Sequence, residues 1–312
     1  MYATVSNCTG VRCSNWRTPR YAVKCPDALN SGLNSGGRRF CAPRCEECVN
    51  FAQSTNYCYM RSQKLVPNVN VSNLTFKYRN VQALDRVNFT VYAGDFFAII
   101  GPNGSGKSTL CKVLQGILSS PKNADVLIAG KPAGTISACR LLAYCGDNDH
   151  MPRFLTGEEF IHNSARLHSH GEHRIRVSRK EIEETFVQLG MEGRHNEIME
   201  TYSHGMLKKT QLAASLLINP LVIIVDETLN GVDIEAQYKI EVELRRFCQE
   251  GGTVLMCSHD FAMQSRNANK FLLLDRGRVV VTAPVVELAK EGLSIEDLVR
   301  QYIGIPESQI NA

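Results

Sequence analysis

The chain has 312 residues, 44% hydrophobic and 21% charged, with a formal net charge of +4, which is material for one substantial core and an appended region. That charge is too small to argue for a nucleic-acid partner. The longest apolar stretch, residues 213–225, is broken by Ser215, Asn219 and Pro220 and falls short of the roughly 18 residues a membrane helix needs, so any membrane role is expected to come through a partner.

Residues 1–66 differ from the rest. They hold nine Lys/Arg against three Asp/Glu and seven of the twelve cysteines, namely Cys8, Cys13, Cys25, Cys41, Cys45, Cys48 and Cys58. They show no sustained period of 2 or 3.6, which predicts a cysteine-rich, mostly irregular N-terminal extension. Cys41, Cys45 and Cys48, with Cys58 as a fourth ligand, have a spacing that could hold zinc or an iron–sulfur cluster. The bland readings are a disordered extension or a natural start at Met60. The first ten residues lack a basic flank and an apolar run, so a cytoplasmic protein without structural disulfides is expected.

From Val69 the texture changes. "NVNVSNLTF" and "VNFTVY" alternate apolar and polar residues, as paired antiparallel strands with one solvated face do. "FFAII" (96–100), "LVIIV" (221–225), "TVLMC" (253–257) and "FLLL" (271–274) are nearly continuous apolar runs, as strands buried on both faces require. Between them, residues 157–200 hold helical composition and no strand-like run. Ile240, Leu244, Phe247 and Cys248 recur at helical spacing after a plausible N-cap at Asp233. Residues 283–303 read as two short helices. The expected fold class is α/β, a parallel core sheet with an antiparallel β edge and an all-helical insertion over about 148–210.

"GPNGSGKST" (Gly101, Pro102, Asn103, Gly104, Ser105, Gly106, Lys107, Ser108, Thr109) follows "FFAII" and precedes the amphipathic residues Leu110, Val113, Leu114 and Ile117. This is the strand, loop and helix order of a phosphate-binding loop. Its glycines let backbone N–H groups converge on phosphate oxygens, and the helix start adds a positive dipole end. Lys107 supplies a mobile charge for the β and γ phosphates, and the Ser108 hydroxyl is placed to ligate Mg²⁺. A chance match in a glycine-rich turn is the bland alternative; the preceding strand and the acidic pair downstream argue against it.

That pair, Asp226 and Glu227, ends "LVIIV", at the sheet edge where open α/β folds bind ligands. Alone it would read as a helix cap. Behind a phosphate loop, Asp226 is expected to hold Mg²⁺ and Glu227 to orient or deprotonate the attacking water. His259 follows "TVLMC" at the same edge, and is expected to sense the γ-phosphate rather than serve as a structural histidine.

These pieces in this order, with "TYSHGMLKKTQLAASLLINP" ahead of the acidic pair, resemble the ATP-binding cassette (ABC) family of P-loop NTPases. The resemblance covers Asn68 to about Gln301 and implies an ABC ATPase domain over 67–303, with a short tail at 304–312. "YSHGM" sits where the family's Leu-Ser-Gly-Gly-Gln signature belongs, and "LNGVD", ending at Asp233, looks like the loop after the catalytic glutamate. By that resemblance two protomers pair head to tail around two ATP molecules, Ser203 and Gly205 of one touching the γ-phosphate held by Lys107 of the other. Tyr78 lies where the family stacks an aromatic ring on adenine; a solvent-edge strand tyrosine is the alternative.

The sequence departs from the family at Asp147, which takes the lid-loop glutamine position and would contact Mg²⁺, and at His204, Met206 and Thr228. None of these removes a group on which hydrolysis strictly depends. The resemblance therefore implies an active ATPase using ATP and Mg²⁺, partnered by a membrane permease and a second ATPase protomer, with no nucleic acid. It would sit on the inner face of the cell membrane through the permease. The signature variant and the short insertion look most like bacterial exporters of drugs or bacteriocins. The alternative is a soluble ABC ATPase, such as one serving iron–sulfur assembly.

Overall fold

A strand covered on both faces needs apolar side chains at every position rather than at alternate ones. In the computed structural model, which describes residues 66–146, 151–169, 174–226, 232–258 and 260–303, the four apolar runs form β3 (Phe96–Ile100), β7 (Val222–Asp226), β8 (Thr253–Cys257) and β9 (Lys270–Asp275). All the described residues belong to the second of the two units into which the chain divides, residues 65–312. The expected N-terminal extension, apart from Val66, and the tail at 304–312 lie outside them.

With β6 (Leu142–Cys145) and β10 (Arg278–Pro284), these strands make a six-stranded sheet in the order β10-β9-β3-β8-β7-β6. Every pair is parallel except β10 with β9. Successive residues point to opposite faces. Phe97, Ile99, Ile224, Leu255, Leu272 and Leu274 join one core, whereas Ala98, Ile100, Ile223, Val225, Met256 and Leu273 join the other.

The first core is closed by a second sheet in the order β2-β1-β4-β5, all antiparallel: β1 (Val69–Tyr78), β2 (Val81–Val91), β4 (Asp125–Ile128) and β5 (Lys131–Pro132). The alternation expected for the β edge is the β1–β2 pair, with Val69, Val71 and Leu74 inward. Helix α1 (Lys107–Leu114) adds Leu110, Cys111, Val113 and Leu114 to the same core and touches both sheets. Ile117, expected on its apolar face, lies beyond the helix end and is two-thirds exposed.

The other core is closed by helices. After α2 (Ile136–Cys139) come α3 (Gly157–His168), α4 (Arg179–Gln188), two 3₁₀ turns and α5 (His204–Leu217), which runs past the expected end of the helical segment. Then follow α6 (Ile234–Gln249), α7 (Phe261–Asn267), α8 (Val285–Lys290) and α9 (Ile295–Ile303), the last two being the expected pair of short helices. Asp233 caps α6 by accepting from the Ala236 N–H, and Ile240, Leu244, Phe247 and Cys248 are its buried face. Among the described residues no helix is long and apolar enough to cross a membrane.

Candidate functional site

The loop at residues 101–109 joins β3 to α1 at the C-terminal edge of the parallel sheet, and its shape depends on glycine. Gly101, Gly104 and Gly106 all have positive φ, at 152°, 78° and 109°. A Cβ at Gly101 would overlap the Leu274 carbonyl oxygen, and one at Gly106 would lie 2.6 Å from the Ala83 carbonyl oxygen. At Gly101 and Gly106 the loop is thus wedged against β9 and β2, with no room for a side chain. The Pro102 carbonyl accepts from the Ser105 N–H at 3.1 Å, and the Ser105 carbonyl accepts from the Gly277 N–H at 2.8 Å.

Gly106 is the N-cap of α1, so no side chain caps that end, and its first turn carries no acidic residue. The helix start therefore keeps backbone N–H groups and a positive dipole end for an anion. Lys107 is buried, and its Nζ donates to the carbonyls of Gly101 (2.8 Å) and Pro102 (3.2 Å), curled over the loop. Ser105 Oγ is buried among the described residues without a hydrogen-bond partner. Asn103, Gly104 and Ser108 are exposed at the mouth, and Thr109 is half-buried behind them.

Asp226 ends β7, half-buried at the same sheet edge, and accepts from the Tyr144 hydroxyl at 3.3 Å. Cys111, one turn beyond Lys107 on α1, feels the charges of both Asp226 and Lys107. Ser108 and Asp226 offer hard oxygen donors, one exposed and one half-buried, a donor set that suits Mg²⁺. Asp147, Glu227 and His259 lie outside the described residues.

A second group forms where α5 meets α6. Ser203 is the N-cap of α5, accepting from the Met206 N–H at 3.2 Å. Gly205 is buried in the first turn, where a Cβ would stand 3.4 Å from Asp233 Oδ2 and 3.7 Å from Val232. The signature start and Asp233 therefore pack together. Tyr78, at the end of β1, is 43% exposed, with its ring edge-on to Phe76.

Sequence reasoning missed three neighbours of Asp226. Tyr144 is the penultimate residue of β6, and Cys257 stands opposite Asp226 in the β7–β8 register. Cys111 lies four residues after Lys107, on the same helix face. That spacing was a readable signal. Tyr144 and Cys257 were not readable, because only the order of the strands makes them neighbours. Lys208, buried in α5, was also missed; its Nζ donates to the Gly146 carbonyl at 2.8 Å, joining the signature helix to the segment that leads to Asp147.

Residues 84–230 match the family model for ABC transporters, spanning the phosphate loop, the signature segment and the acidic pair. That segment is an ATP-binding cassette domain. The chain is 30% identical over 212 residues, 67% of its length, to an ABC transporter ATP-binding protein of Nostoc sp. (strain PCC 7120), of which it covers 62%. It is 25% identical over 230 residues, 74% of its length, to the SkfA peptide export ATP-binding protein SkfE of Bacillus subtilis (strain 168), of which it covers 95%. Among solved structures, an ATP-binding subunit of an ABC transporter superposes with a TM-score of 0.66 at 25% identity, covering 76% of this chain and 98% of that one. The chain thus spans less than two thirds of the first of these relatives, and 39% of a Bacillus cereus one.

Proposed function

We propose that this ABC cassette is the ATP-hydrolysing subunit of a transporter, driving a separate membrane permease in the export direction. The observation that carries the reading is the pairing of a glycine-built loop, holding Lys107 at an uncapped helix start, with Asp226 at the end of the adjoining sheet. Gly101, Pro102, Asn103, Gly104, Ser105, Gly106 and Thr109 wrap the phosphates, Lys107 neutralises the β and γ oxygens, and Tyr78 stacks on the adenine. Ser108 and Asp226, with Asp147, would hold Mg²⁺, which supplies charge neutralisation on the phosphates. Glu227 positions and deprotonates the attacking water, and His259 contacts the γ-phosphate.

The exposed helix start of α5, with Ser203 and Gly205, completes the site of a second protomer, so the working unit is a head-to-tail dimer that closes on ATP and reopens after hydrolysis. Export follows the likeness to the SkfA peptide export protein. The permease docks on the helical layer and selects the cargo, so the cassette sits on the inner face of the membrane.

A Glu227→Gln chain expressed in its native cells, then purified from detergent-solubilised membranes, tests this. A polytopic permease recovered in near-equal amount supports it. Recovery from the soluble fraction alone, with no membrane protein, overturns it in favour of a soluble ABC ATPase. The purified variant should bind ATP and turn it over at least about 10²-fold more slowly than the parent chain.

A further inference from the structure

Beneath the phosphate loop lies a side-chain group that none of these roles uses in full. Cys111 on α1 and Cys257 at the end of β8 place their sulfurs 3.3 Å apart. Those two sulfurs and a carboxylate oxygen of Asp226 all lie within 4.8 Å of one another. Both cysteines are fully buried, whereas Asp226 is half-buried at the sheet edge. A pair of touching thiols alone would be ordinary core packing. The carboxylate within reach of both sulfurs sets this group apart.

We propose that Cys111, Cys257 and Asp226 form a binding site for a thiophilic divalent cation of the zinc class, and that its occupancy withdraws Asp226 from the nucleotide and stops turnover. Two thiolates and one carboxylate make a three-ligand set whose fourth position opens on the Asp226 side, where the group meets solvent. Zinc–sulfur bonds of about 2.3 Å at the tetrahedral angle set the sulfurs about 3.8 Å apart, so they need to part by only about half an ångström. Mg²⁺, a hard ion, does not compete for the sulfurs.

The hydrogen bond to Cys257, followed by burial, holds the Cys111 thiol well above its ordinary range. Binding expels a proton from each thiol, and affinity rises with pH. The inhibitory consequence rests on the proposed ATPase function; the binding site does not.

The test compares the full chain with its Cys111→Ala/Cys257→Ala variant, using Cd²⁺ as the probe, because the seven cysteines of residues 1–66 contribute equally to both. The variant should bind one Cd²⁺ fewer per chain and lose two thiolates' share of the ultraviolet charge-transfer absorbance. Equal binding by the two proteins overturns the site, whatever their ATPase activity. Where the parent hydrolyses ATP, the variant should keep that activity and resist Zn²⁺ by about 10-fold; equal sensitivity overturns the inhibitory role alone. Should the variant fail to fold, crystals of the parent chain soaked in Cd²⁺ decide. Anomalous density between the three side chains supports the site, and density only at other thiols overturns it.

Discussion

Gly101, Gly104 and Gly106 are interchangeable in a motif and unequal in the structure. All three carry positive φ, which costs a residue with a Cβ on the order of 1–3 kcal/mol. Gly106 adds a collision, since its Cβ would lie 2.6 Å from the Ala83 carbonyl oxygen, whereas nothing stands within 4 Å of one at Gly104. Gly106→Ala should therefore lower the unfolding free energy by more than about 2 kcal/mol, and Gly104→Ala by about 1 kcal/mol. Urea unfolding of the two variants checks this, and equal losses would show that the crowding from β2 does not matter. The loop itself was legible because its chemistry is local: glycines, a lysine and a hydroxyl within nine residues. The surroundings of Asp226 were not, because Tyr144 and Cys257 come from other strands.

At the scale of single elements, helices α3 to α7, which cover the second core, begin at side-chain caps. Thr156 accepts from the Glu159 N–H, and Ser178 accepts from the Glu181 N–H. In both, the glutamate returns a bond to the cap backbone, at 2.8 Å. Thr156→Ala and Ser178→Ala should each cost about 1 kcal/mol. The two boxes share no residue, so the double variant should lose about the sum. Denaturant titration reads both, and a markedly smaller combined loss would mean that α3 and α4 are ordered by packing alone. Element existence followed from pattern where pattern was long, as in α6 with its Asp233 cap. It failed for β4, β5 and β6, which have four residues or fewer, and for β10, whose outward residues hide its role as the antiparallel edge.

For the whole molecule, two buried thiols make stability depend on alkaline pH. Burial raises Cys145 from 9.0 to about 11 and Cys248 to about 12. Their native values lie above the unfolded ones, so the native state holds these protons longer. Their contribution is complete below about pH 9 and fades as pH rises through about 11 and 12, by roughly 1.4 kcal/mol per pH unit for each thiol. Under reducing conditions the unfolding free energy should fall from pH 9 to 11. Cys145→Ala/Cys248→Ala should flatten that slope, and an unchanged slope would place the titration elsewhere.

The sequence by itself determined the kind of protein. Four continuous apolar runs require strands covered on both faces, and the loop and the acidic pair stand at their ends, so an α/β nucleotide-binding fold was readable from adjacent residues. Only the tertiary structure decided the order of the strands, the wedging of Gly106 against β2, the Lys208–Gly146 link and the meeting of Cys111, Cys257 and Asp226. Each depends on which non-local strands and helices become neighbours. Strands buried on both faces are alike in composition, so their sequences carry little information about which of them pair.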